Sequence, residues 1–433
     1  MNSLLKQTAQ LASFLMVLAC LTQGCAQRSG EEPDTVEIGT TVQLFLDDFV
    51  IESTHHLKRV LNRPDDNRIP LFGAEQPWEQ RVFYPNVIKD GNQWRMYYTA
   101  GVFNDLQGGT ELAKGKLVSV AESSNGSDWH FPQLKEHTGV FDSTNIVLQD
   151  IVNENGIIEN GFGIFDPSAP ERERYKLGYG HFKHGLRVAF SEDGYAFKRY
   201  SGNPVSDGHE DTQQSIVWDP KINKWVWFYR IWEVPNDGRP GLSRFDGKIR
   251  KIGRIESADF KHWSEPQLVL DRTFEDSIET DWYGLQVTIR HGIMIGILWT
   301  SEWEDDGGGR IGQQRAQLVV SRDSGYNWTF VDRGNIWFDV GPEGSFDDEV
   351  VWPSSIVTVG DEDYIYYTGS TYKHASNPPG RSNPYRIGLA RVLRDRIAAL
   401  EAASVEGVLT TKCFTVPAEK ELFLNLDILD GGY

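Results

Sequence analysis

The chain has 433 residues, and 39% of them are hydrophobic, so it can bury one large or two ordinary cores without membrane-spanning segments. Its formal charge of −19 excludes nucleic acid as a partner, because phosphates need Lys and Arg to neutralise them. Aromatic residues reach 12%, with 14 Trp, most of which buried sheet faces can absorb.

The first elements read as targeting sequence. Residues 1–25 carry one early Lys, an apolar run from Leu11 to Leu21 and a Cys-terminated "LTQGC". The run is too short to span a bilayer. The segment is expected to be a secretory or lipoprotein signal, with Cys25 as the lipidated residue and Cys20, ending "MVLAC", as its competitor. This predicts export to the periplasm or cell surface, with membrane attachment only through an N-terminal lipid. Residues 26–40 read as a tether. Cys413 is the one cysteine beyond the signal, so no disulfide framework is expected.

From residue 41 onward a repeat organises the chain. "SSNGSDW" begins at Ser123, "SEDGYAF" at Ser191, "SADFKHW" at Ser257 and "SRDSGYNW" at Ser321, spaced 68, 66 and 64 residues apart. Asp and Asn bond their own backbone in such turns, Gly supplies positive φ, and the aromatic residue pins the turn to a sheet. Three β-rich runs precede each turn, such as "QSIVWDP", "KWVWFYRIW" and "RKIGRIES", and a shorter one follows it. A fifth unit with a degenerate turn fits residues 354–395, ahead of an Ala- and Leu-rich "RIAALEAA" that reads as a short helix. The expected fold is all-β: a five-bladed β-propeller over 41–400 with a short C-terminal β extension over 401–433. A β-sandwich has no reason for a period near 66. The run "TVQLFLDDFVIES" from Thr41 is the candidate for the strand that closes the last blade.

In such a ring the start of each inner strand faces the axis. The early run offers Asp47 and Asp48, and blade one offers Arg81, Tyr84 and Asn86. Glu154 and Glu159 open blade two less favourably; Glu210 and Asp211 open blade three; Glu279 and Asp281 open blade four; Asp347, Asp348 and Glu349 open blade five. Convergent carboxylates suit glycoside hydrolysis, which needs one protonated acid and one ionised group. The same oxygens could instead cap turns at strand starts or bind a structural calcium on the axis. No other cofactor is implied, and no zinc motif is present. The loops toward the same end carry His181, His184, Trp232, Glu233, Trp299, Glu302, Trp303, Tyr372 and His374. Trp282, Trp299 and Trp352 are candidate platforms for sugar rings.

The stretches "LFLDDFVIES…LKRVLNRP", "DTQQSIVWDPKINKWVWFYR" and "GRIESADFKHWSEPQLVL" resemble exported bacterial proteins similar to the N-terminal domain of glycoside hydrolase family 32. Those proteins belong with the five-bladed superfamily of families 32, 43 and 62. The resemblance runs from about residue 41 to the end of the chain. It implies three acids: Asp48 as base or nucleophile, Asp211 as the group stabilising the transition state, and a glutamic general acid. Glu349, Glu210 and Glu302 compete for the last role, with Glu349 taken first. The W-M-N-D-P-N-G, R-D-P and E-C motifs of invertases are absent, so fructoside specificity is not implied. The expected function is hydrolysis of a polysaccharide or oligosaccharide by a monomer. The alternative is a non-catalytic carbohydrate-binding surface lipoprotein.

Overall fold

Each predicted repeat is a group of four antiparallel strands, and a single parallel bridge, Gln314 to Val350, joins the last two groups. The structure, a computed structural model, describes residues 35–426 apart from 66, 103–114, 135–142, 150–157, 182–183, 208–211, 242–246, 306–309, 377–384, 404 and 418. The described residues contain no α-helix and one 3-10 turn, Glu171–Glu173.

The first sheet orders Arg81–Asp90, Gln93–Val102, Gly115–Ser123 and Ile146–Leu148. The second orders Ile158–Phe165, Tyr175–His181, Gly185–Ser191 and Lys198–Arg199. Ser215–Asp219, Lys224–Glu233, Ile249–Ser257 and Gln267–Leu270 form the third. The fourth runs Thr280–Arg290, Ile293–Asp305, Arg310–Ser321 and Thr329–Phe330. In the fifth, Val350–Val359, Glu362–Ser370 and Tyr385–Leu393 are completed by Ile69–Phe72 from early in the chain. The first strands of successive sheets pack on one another, and the fifth returns to the first, so the sheets close a ring. One cavity of about 300 Å³ takes lining residues from all five inner strands and marks the axis: Asn86 to Lys89, Phe162 to Phe165, Ile216, Val287 with Thr288, and Ser354 to Ile356.

The core lies between sheets. One apolar cluster joins Ile387 and Leu389 of the fifth sheet to Met96 and Tyr98 of the first. Further clusters fill the next three interfaces, with Tyr97 meeting Leu177, Ile164 meeting Trp227, and Phe228 meeting Leu298. Flat sheet faces cannot bury themselves, so each needs its neighbour.

The repeated turn explains how the interfaces are fastened. The hydroxyls of Ser123, Ser191 and Ser257 accept the N–H three residues on, and that of Ser321 the N–H four residues on, at 2.9–3.0 Å. Each hydroxyl also donates to the Asn or Asp two residues on. The indoles of Trp129, Trp263 and Trp328 donate back to the carbonyls of Gly126, Phe260 and Gly325. Gly126, Gly194 and Gly325 have φ near +80°, where Gly is favoured. The preceding sheet then reaches across. Tyr366 donates to the Gly126 carbonyl at 2.7 Å, Tyr97 to that of Gly194 at 2.9 Å, and Arg254 to that of Ser324 at 3.0 Å.

Three expectations change. The closing strand is Ile69–Phe72, not the run from Thr41. Residues 45–50 form a turn and bends, and Ile51–His55 pairs with Val408–Thr411 instead. Those residues belong to a second compact unit made from the chain up to Lys58 and from Leu400, whereas the five sheets lie within Arg59–Ala399. In that second unit Thr35–Glu37 also pairs, in parallel, with Cys413–Thr415. The "RIAALEAA" run is a strand, Ala398–Ala402, because so short a run cannot offset the cost of nucleating a helix. Cys413 is disulfide-bonded, where no disulfide framework was expected. The signal, Cys20, Cys25 and most of the tether fall outside the described residues.

Candidate functional site

Bulges build the site at the end of the ring where the inner strands begin. Pairing registers slip between Phe83 and Asn86, between Trp282 and Gly284, and between Pro353 and Ser355, at the same level of sheets one, four and five. A bulge re-aims side chains that strict alternation would separate. Tyr84 sits in one with φ +60°, a strained value for an aromatic residue. Its N–H is held by the Thr368 hydroxyl at 2.8 Å, and its carbonyl by the Gln213 amide at 3.1 Å.

Tyr84 and Tyr283 project into one cluster. The Tyr283 ring lies parallel to Trp352, with centroids 5.6 Å apart and 3° between planes, and both approach Trp299. Trp299 donates to the Pro353 carbonyl at 2.8 Å, and Trp352 donates to Gln314. Tyr385 stacks on Trp352, and the Arg81 guanidinium lies 5.8 Å from the Tyr385 ring. Two further guanidiniums cover Tyr283, Arg230 at 4.7 Å and Arg250 at 5.0 Å. Arg250 also faces Trp232 at 4.3 Å and Trp303 at 4.8 Å, and pairs with Asp281 at 3.0 Å.

Hydroxyls link the sheets beneath these rings. Thr212 donates to Tyr84 at 3.3 Å, Tyr84 bonds to Tyr283, and Tyr283 meets His374 Nε2 at 3.3 Å. Burial and the neighbouring Tyr283 push the Tyr84 pKa well above the phenol range. Burial and Tyr283 likewise push Tyr385 up to about 12, against the pull of Arg81. Both phenols therefore stay neutral and act as hydrogen-bonding groups. His374 is placed by two backbone bonds with Gly312, of 2.8 and 3.1 Å. Gly312 permits that approach, since a Cβ there would lie 2.9 Å from the Glu302 carbonyl oxygen.

The predicted site residues divide. Tyr84, Trp232, Trp299, Trp352 and Asp281 meet in this cluster, and Arg81 borders it. Trp299 and Trp352 are buried, so they form its floor and offer no open face to a sugar. Trp282 is fully buried and packs between sheets three and four with Phe330, so it is core. Asn86 ties the inner strands of sheets one and two, accepting the Gly163 N–H at 2.6 Å. His181 is fully buried at a strand end beside His184, out of reach of a dissolved ligand. Glu349 is half-buried at the head of the fifth inner strand, where it accepts from Gln313 at 3.4 Å. Lys373, beside His374, has its pKa raised, first by its bond to Glu304 and also by Glu349. Asp48 is exposed on a bend of the other unit, outside the five sheets. Asp211 and Glu210 lie outside the described residues. Asp347 opens the fifth blade but is buried and bonded to Arg68 at 2.8 Å and Tyr367 at 2.9 Å.

Tyr283, Arg230, Arg250 and Tyr385 were not singled out from the sequence. Tyr283 sits at the register slip between Trp282 and Gly284, so alternation along its own strand could not have placed it. The half-exposed rings that border the cluster are Trp232, His374 and Tyr385.

No family model and no curated protein matches the chain. Solved structures do. One described as a complex of BT0996 with RGII aligns with a TM-score of 0.50 and 16% identity, over 76% of this chain and 92% of that one. An N-acetylgalactosamine deacetylase from F. plautii, in complex with blood group B trisaccharide, gives 0.49 and 14%, over 78% and 96%. A fructofuranosidase from Schwanniomyces occidentalis complexed with fructose gives 0.47 and 17%, over 81% and 62%. At these identities the first likeness is one of fold: the chain has the architecture of the protein in that RGII complex.

Proposed function

We propose that the protein is a glycoside hydrolase that takes a polysaccharide or oligosaccharide at the strand-entry end of the ring. The observation that supports this is the half-buried Glu349 sharing that end with the half-exposed rings of Trp232, Tyr385 and His374. Rings of this kind pack on the C–H faces of sugars, while Arg81 and the exposed side of His374 meet hydroxyls. In this reading Glu349 is one carboxylate of the catalytic pair. Asp211 is the other, because it directly precedes Thr212, whose hydroxyl bonds Tyr84 in the cluster. Asp281 serves indirectly: buried against Arg250, it fixes the guanidinium that covers Trp232 and Tyr283. One carboxyl protonates the departing glycosidic oxygen, and the other, ionised, activates water or attacks the anomeric carbon.

Release of reducing sugar from a glycan panel tests this with wild type, Glu349→Gln and Asp211→Asn. Losses of roughly 10²- to 10⁴-fold in kcat are expected for each. Full activity in both variants would dispose of the assignment. The second reading, a non-catalytic carbohydrate binder, draws on the pairing of Asp281 with Arg250, which occupies the buried carboxylate of the cluster. It predicts saturable glycan binding without turnover in the wild type.

A further inference from the structure

Resting on the reading above, we propose that Phe274 is a second, remote sugar-binding platform, so that the site grips an extended glycan chain and not a single terminal sugar. Phe274 is 76% exposed, an unusual setting for a phenyl ring. It lies on the segment between the third and fourth sheets that leads into Asp281. Seven residues separate the two, so Phe274 is no further than about 25 Å from Asp281.

The loop that presents it is rigidly built. The Asp276 carboxylate caps the Thr273 N–H at 2.8 Å and accepts from Arg333 at 2.8 and 2.9 Å. Arg239 donates to the carbonyls of Thr273 at 2.5 Å and Asp276 at 3.0 Å, and its guanidinium carbon lies 5.2 Å from the Phe274 ring. Beneath it, Arg272 is fully buried and bonds Asp237 at 2.9 Å, the Arg239 carbonyl at 2.7 Å and the Ile278 carbonyl at 2.9 Å. Burial opposes ionisation of Asp237, yet Arg272 and Arg239 hold its pKa down to about 2. A buried ion pair of this sort contributes geometry more than net stability. Here the geometry it fixes is that of a ring standing in water.

The size of the apolar feature decides what it suits. Phe274 and the partly exposed Ile278 fall far short of the roughly 800 Å² per partner of a stable protein interface. They match one sugar face. Arg239 lies beside the ring as a donor, and Glu275, next in sequence and paired with Arg333 at 3.1 Å, keeps a side chain 73% exposed that can accept from hydroxyls. The Lys251 ammonium continues the connection inward. It bonds Asp271 at 2.9 Å in this loop and Glu233 at 3.5 Å beside Trp232.

The test compares wild type, Phe274→Ala and Phe274→Tyr on a length series of one glycan, from disaccharide to polymer, by turnover and by calorimetric binding. Phe274→Ala is expected to weaken binding and raise KM for long members by roughly three- to tenfold. Disaccharide kinetics and melting temperature should not move, and Phe274→Tyr should restore long-chain binding. An equal effect on all lengths, or none on any, overturns the platform. Turnover without length dependence would leave the hydrolase reading standing, whereas length-dependent binding without turnover would leave only the platform.

Discussion

Replacing Glu79 with glutamine should remove a pH-dependent loss of stability. The Glu79 carboxyl is buried just ahead of the first inner strand. It accepts the Tyr98 hydroxyl at 2.6 Å and the N–H groups of Glu75 and Gln76 at 3.2 Å each. Desolvation outweighs these bonds and pushes its pKa up from 4.5 to about 7. Below 4.5 the group is protonated in both folded and unfolded chains. Between 4.5 and 7 the unfolded chain gives up its proton first, so stability falls as pH rises through that window. At 1.36 kcal/mol per tenfold in proton affinity, the fall reaches about 3 kcal/mol above pH 7. Glu79→Gln keeps an acceptor oxygen and carries no proton to lose. Urea unfolding of both proteins at pH 5, 6, 7 and 8 should therefore show the variant gaining about 2.5 kcal/mol on the wild type across the series. A difference between the two that stays constant with pH would refute the reasoning.

Two substitutions probe the ring itself. Gly163→Ala would set a Cβ 2.1 Å from the Tyr97 ring, which its hydroxyl bond to Gly194 prevents from yielding. Denaturant unfolding should show a loss of about 3 kcal/mol. Tyr366→Phe removes the 2.7 Å donor from the preceding sheet and leaves the Gly126 carbonyl only the Trp129 indole, so calorimetry should show a loss of about 0.5–1.5 kcal/mol.

Much of the ring was legible because the turn carries its own chemistry. Ser, Asp or Asn, Gly and Trp close the turn locally, so their spacing in the sequence is the spacing of the sheets. The closing strand was missed because "TVQLFLDD" and "RIPLF" are both short apolar runs. Only pairing with Tyr385–Leu393, far along the chain, distinguishes them. Acids at strand heads were legible as residues but not as environments. Nothing local says that Asp281 meets Arg250, or that Asp347 is taken up by Arg68 and Tyr367. The aromatic floor was half legible. Trp299 and Trp352 were visible, whereas the bulges that bring Tyr84 and Tyr283 between them arise from register slips that only the neighbouring strand reveals.

Ile69–Phe72 finds its partner in Tyr385–Leu393, with Phe72 opposite Ile387, 315 residues later. During synthesis at 5–20 residues per second, that early strand waits roughly 15–60 s before its partner exists. Four sheets can assemble from contiguous chain in the meantime, but the fifth cannot, and the interface it shares with the first stays bare. Completion of the ring is thus a late, non-local event, and the waiting segment is the place where a holding chaperone has most to protect.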